Sequence, residues 1–79
     1  MRAAVALSYT PGIDTAPQVI SSGRRDLASE MERVARRYGV PIVEDRTLTE
    51  RLLRVAVPEE IPEELYLDVA EILVRTEWW

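Results

Sequence analysis

Apolar residues crowd the start of the chain: "AAVALSY" (residues 3–9) is broken only by Ser8. A strand with one wet face would alternate, so this run predicts a strand covered on both faces. "TPGIDTAP" is turn and loop chemistry, with Pro11-Gly12 as the sharpest turn. "QVIS" (18–21) predicts a second short strand, reached by a hairpin-like connection, and Gly23 breaks the pattern.

The period then changes from two to three and four. Leu27, Met31, Val34, Ala35 and Tyr38 form one apolar stripe and predict a helix over 24–38. Asp26 in its first turn and Arg36 and Arg37 in its last suit the helix dipole, and Glu32 sits four residues before Arg36. Gly39 supplies a left-handed stop and Pro41 prevents resumption. "VPIVE" (40–44) predicts a third, β-branched strand. Asp45 or Thr47 caps the next helix, over roughly 47–56, where Thr47 and Glu50 have capping-box spacing and Leu48, Leu52 and Val55 share a side. Pro62 opens a last helix, 62–76, whose stripe is Leu65, Val69, Ile72 and Leu73, with Glu71 four residues before Arg75.

The order β-β-α-β-α-α predicts an α/β fold: a single compact domain, residues 1–79, with a small mixed β-sheet packed with three to four helices. One β-α-β step should be a right-handed parallel crossover. The length of 79 residues allows one domain. A chain this short buries only about 60–65% of its unfolded surface, so every apolar face is needed.

Composition narrows the chemistry more than the fold. The chain has no Cys, His, Lys, Asn or Phe. Disulfides, thiolate nucleophiles, imidazole bases and the commonest metal ligands are therefore absent, and Ser-His-Asp or Cys-His arrangements cannot be built. The expectation is a protein that is not an enzyme and needs no cofactor or metal. Glu44-Asp45 is a candidate carboxylate pair, but Asp45 already has a use as a cap, and a hard cation needs more converging oxygens. No apolar run reaches the roughly 20 residues of a membrane span and no signal peptide is recognisable, so a cytoplasmic location without membrane insertion is expected.

The net charge of −4 is unevenly spread. Residues 24–37 hold five arginines and three acids, a local +2, while 58–79 hold seven acids and Arg75, a local −6. The arginines lack interleaved aromatics and the overall sign is negative, so no nucleic-acid partner is expected. Trp78 and Trp79 close the chain, and either fold back on the core or form a sticky interaction patch.

Taken in order, "AVALSY", Ala16-Pro17 with "QV", "G…DLA" from Gly23, "VARRYGVPIVED", "LTERLLR" and "IPEELYLDVAEIL" resemble the cytoplasmic C-terminal domain of the FlhB/YscU family, the substrate-specificity switch of flagellar and injectisome type III secretion. The resemblance covers about residues 3–74. In that family an Asn-Pro-Thr-His motif precedes "AVAL", and the chain cleaves itself between Asn and Pro. By register its last two positions fall on Met1 and Arg2, and this sequence has no asparagine. The resemblance therefore implies a stand-alone FlhB-like protein without self-cleavage.

It further implies a binding module at the cytoplasmic face of the export gate. Its partners would be exported rod- or hook-type proteins or their chaperones, and FlhB or other gate components. The family's apolar substrate patch maps onto Ala16, Pro17, Ala70 and Leu73. The alternative it leaves open is a structural assembly module, pairing with FlhB or with itself through the first strand and Trp78-Trp79.

Overall fold

The computed structural model describes residues 2–76. Strand β1 (Ala3–Ser8) and strand β2 (Gln18–Arg24) form a two-stranded antiparallel sheet. Ala3 faces Arg24, Ala6 faces Ser21 and Leu7 faces Val19, so Ile20 is one extra residue on β2 and makes a bulge. Three helices follow: α1 (Asp26–Arg37), α2 (Arg46–Leu52) and, after a 3-10 turn at Glu63–Leu65, α3 (Tyr66–Thr76).

The alternation of strand side chains sorts the helices onto two faces. Val5 and Leu7, opposite Val19, pack into a core with Leu48 and Leu52 of α2, Ile61, and Leu65, Val69 and Leu73 of the last helical segment. The other face is made of small residues, Ala4 and Ala6 paired with Gly23 and Ser21. Here α1 lies close: the Leu27 side chain sits over Gly23, and the Ser21 hydroxyl donates to Met31 Sδ at 3.8 Å. The unbroken apolar run in β1 is thus explained, because both its faces are covered.

The third strand expected at 40–44 does not form among the described residues. The Val40 N–H donates to the Ala35 carbonyl at the end of α1, and the segment after it is irregular, without a ladder partner. The place beside β2 is taken instead by 59–61: Val19 N–H donates to the Glu59 carbonyl and Ile61 N–H to the Pro17 carbonyl, both at 2.9 Å. Among the described residues the sheet is therefore antiparallel rather than mixed, with order β-β-α-α-α and no parallel crossover. Pro41 contributes to the difference, since it has no N–H to offer a ladder.

The stripe on α1 is also turned from its expected direction. Ala28 is fully buried and Met31 and Ala35 half-buried, but Leu27, Val34 and Tyr38 are exposed. A sheet only two strands wide covers one flank of the helix. Gly39, at φ 71°, ends α1 in the left-handed conformation its sequence position called for.

Arg25 enters α1 at φ 54° and ψ −120°, a conformation that suits glycine and strains a side chain. The hydrogen bond from its N–H to the Arg2 carbonyl, at 2.8 Å, holds it there. Such strain costs about 1–3 kcal/mol. Arg25→Gly is expected to raise stability by about 1 kcal/mol after the larger unfolded-state entropy of glycine is subtracted. Urea denaturation checks the sign, and a lower midpoint would show that the backbone there is relaxed.

Ion pairs dress the surface. Arg2 donates to Glu32 through Nε at 3.1 Å and through Nη2, and Arg36 reaches the same carboxylate at 3.4 Å. The hydrogen bond from Arg2 holds the Glu32 carboxyl below the usual glutamate range, with the charges of Arg2 and Arg36 adding to it. Arg33 lowers Glu30 and Arg24 lowers Glu50 in the same way. A depressed folded-state pKa contributes stability that is fully present above the unfolded value and is lost as pH falls through the folded one. The melting-temperature difference between wild type and Glu32→Gln should therefore shrink on acidification through and below the glutamate range. A constant difference from neutral pH to pH about 3 would mean that these pairs are not linked to folding.

Candidate functional site

Ala16 and Pro17 end the loop after β1. Ala16 is only 3% exposed, and Pro17 is half-buried with its carbonyl bound by Ile61 N–H. Around them the connection is well tied. Thr15 Oγ1 donates to Glu60 at 2.8 Å, and Gln18 Nε2 donates to the Pro58 carbonyl at 2.8 Å. A proline adds its own rigidity, so this corner presents one shape.

Leu73 reaches the same region from α3. It is 9% exposed and shares the core cluster with Val19 and Ile61, the neighbours of Pro17 in sequence and in hydrogen bonding. Ala70 lies differently. It is exposed on the outer side of α3, in a shallow depression of about 400 Å3 lined by Leu67, Ala70, Glu71, Val74 and Arg75. Leu73 thus belongs to the core cluster, Pro17 is tied to one member of that cluster, Ile61, by a backbone hydrogen bond, Ala16 is buried outside it, and Ala70 lies on the outer face of α3. Trp78 and Trp79 lie outside the described residues.

Leu73 is held where it is by the register of the last helix. Pro62 begins the 3-10 turn, and Leu65, Val69 and Leu73, spaced by four, are all buried. Asp45 rather than Thr47 caps α2, its Oδ1 accepting from Leu48 N–H at 3.0 Å. That bond orients α2 so that Leu48 and Leu52 back the cluster. Asp45 is thereby used structurally. Among the described residues no three acidic, histidine or cysteine groups converge in a way that could hold a metal ion.

The sequence reading missed the depression on α3. Its signal was present: Leu67, Ala70 and Val74 are spaced by three and four on the side away from the buried stripe. No described helix is long and apolar enough to cross a membrane.

This arrangement, a strand hairpin between one helix and a helical pair, is the fold of C-terminal domains from type III secretion switch proteins. It superposes on the crystal structure of the PscU C-terminal domain with a TM-score of 0.90 at 29% identity, covering 95% of this chain and 96% of that one. A mutated EscU C-terminal domain gives 0.89 at 27% identity, with 94% and 90% covered. The model of the FlhB HrpN YscU SpaS family matches residues 1–75, and the chain belongs to that family.

Among its relatives, YlqH of Bacillus subtilis (strain 168) is 47% identical over 72 residues, which are 91% of this chain and 77% of YlqH. The flagellar biosynthetic protein FlhB of Borreliella burgdorferi is 37% identical over 73 residues, 91% of this chain. The hypersensitivity response secretion protein HrcU of Ralstonia nicotianae is 37% identical over 70 residues, 89% of this chain. The chain spans only 20% of the length of either of these two proteins. The family is thus one of bacterial protein transport, serving flagellar and type III export.

Proposed function

We propose that the protein is a non-catalytic binding module of the type III or flagellar export apparatus, recognising exported rod- or hook-type proteins or their chaperones on the cytoplasmic side of the export gate. The observation that carries the reading is the junction of Ala16-Pro17 with the Leu73 cluster through Ile61, in a chain of the FlhB HrpN YscU SpaS family. A rigid proline corner beside an aliphatic helix is a ledge suited to a short apolar motif in an unfolded segment. Affinity should be weak, because the contact is small and the ligand loses entropy on ordering.

Titration of the 15N-labelled protein with the N-terminal peptide of a hook-type export protein tests this. Shifts concentrated at Ala16, Gln18, Ala70 and Leu73, and abolished when the peptide's apolar residues become serine, are the expected result. Shifts elsewhere, or none with millimolar peptide, would overturn it.

A second reading has its own support: β1 is hydrogen-bonded on one edge by β2, and among the described residues its other edge has no ladder partner. An unpaired edge is a template for strand addition, by FlhB or by another copy. If this is the protein's role, a strand peptide will protect the β1 amides from hydrogen exchange while leaving the Leu73 region unchanged.

A further inference from the structure

Helix α1 keeps one whole flank in water. Leu27 is 52% exposed, Val34 41% and Tyr38 72%, while Ala28, on the flank that meets the sheet, is fully buried. With Met31 the three recur by four, three and four, the spacing of alternating d and a positions in a heptad. Beside them runs a charged line of the same spacing, Asp26, Glu30, Arg33 and Arg37, all of them exposed. The two lines touch, since the Arg37 guanidinium lies 5.8 Å from the centre of the Tyr38 ring. Arg33 is held by Glu30, whereas Asp26 and Arg37 have no ion-pair partner among the described residues. Both acids lie in the first half of the line and both arginines in the second, so the line as a whole is neutral. The helix dipole favours that order, but it does not account for apolar side chains left in water beside it. A contiguous patch of that kind marks an interaction surface.

A neutral line with its signs segregated gives no advantage to a partner of one charge. Reversed, it is its own complement. We infer that α1 docks against α1 of a second copy, antiparallel about a two-fold axis. Such an axis brings the same flank of each helix together, so the charged lines adjoin in opposite order. Asp26 then faces the second copy's Arg37 and Glu30 faces its Arg33, and each contact occurs twice. The same register sets Leu27 between the second copy's Val34 and Tyr38. A parallel pairing would instead put Asp26 against Asp26 and Arg37 against Arg37, a like-charge arrangement that costs affinity. An interface made by one face of a 12-residue helix falls below about 1,200 Å2, so the association is weak and appears only at high concentration. It uses neither the Pro17 and Leu73 ledge nor the free edge of β1, and it does not depend on either.

Sedimentation velocity of the full chain, from about 20 μM to about 1 mM, reads the association. The wild type should move from monomer toward dimer across that range. Val34→Glu and Tyr38→Glu alter exposed positions, so both should keep the wild-type circular dichroism. Each should weaken association about tenfold or more. Asp26→Arg and Arg37→Asp should each stay monomeric, because each sets like charges across the axis. An equimolar mixture of those two variants should sediment as a heterodimer. The new arginine of one then faces the new aspartate of the other, and the native pair completes the second contact. A wild type that stays monomeric at about 1 mM would overturn the inference. So would a dimer undiminished in Val34→Glu, which would assign self-association to another surface such as the β1 edge, and so would a mixture no heavier than its components. None of these variants touches Ala16, Pro17, Ala70 or Leu73, so the outcome is separable from that of the export-signal titration.

Discussion

Leu73→Asp is expected to leave a chain without a cooperative thermal transition. Leu73 is one of seven buried residues that constitute the core cluster. Its replacement removes an aliphatic side chain, which costs about 2–5 kcal/mol when Leu becomes Ala. The variant also buries a carboxylate where no charged partner is at hand: the cluster is wholly aliphatic, and the described core contains no buried polar residue. Burying an unpaired charge adds several kcal/mol, or forces the acid to stay protonated. A chain of 79 residues has about 4–12 kcal/mol of stability to lose. Circular dichroism during heating reads the result. A transition within about 1 kcal/mol of wild type would place Leu73 outside the core and overturn the packing described above.

The consequence reaches the functional reading. A substrate contact that is also a core residue cannot be probed by charge, because loss of binding and loss of fold then coincide. Leu73→Met, which conserves volume and usually costs less than 1.5 kcal/mol, is the informative change at this position. Pro17 and Ala70, less buried, tolerate wider substitution.

The same duality explains how much of the molecule was legible in its sequence. The last helix and its stripe were plain, because Leu65, Val69 and Leu73 recur by four and Pro62 marks the start. Both ends of α1 were legible for local reasons, the acid at one end and Gly39 at the other. The strand expected at 40–44 was not: "VPIVE" has strand composition, but a strand exists only with a partner, and β2 found its neighbour at 59–61, where two glutamates and one isoleucine between Pro58 and Pro62 give no strand signal. The direction of the α1 stripe failed for a related reason. Periodicity shows that a helix has an apolar side, whereas the width of the sheet decides how much of that side is covered. Of the candidate site, family resemblance supplied the residues and the fold supplied their surroundings. Spacing placed Leu73 in the stripe of the last helix and Ala70 outside it, so the two residues that the resemblance assigns to one patch fall on different sides of that helix.

Gly23 carries the second large effect. It lies on β2 opposite Ala4, on the small-residue face against which α1 packs. A Cβ built at position 23 would stand 2.4 Å from Leu27 Cδ2, 2.5 Å from Cγ and 2.9 Å from Cβ. The outer carbons of an exposed leucine can rotate away, but Leu27 Cβ is fixed to the helix, so α1 itself must shift. Gly23→Ala is therefore expected to destabilise the protein by about 1–3 kcal/mol, the usual cost of overpacking. Leu27→Ala alone should cost much less, since half of that side chain is already in water. Combined, the two substitutions should recover most of the loss, because removing the Leu27 branch carbons leaves the new methyl a space to enter. Urea denaturation of the four proteins yields a coupling energy, expected to be negative and about 1–2 kcal/mol in size. Additive effects would show that Gly23 is required for its backbone freedom rather than for the approach of α1, and would undo the account of why this face of the sheet is built from alanine, serine and glycine.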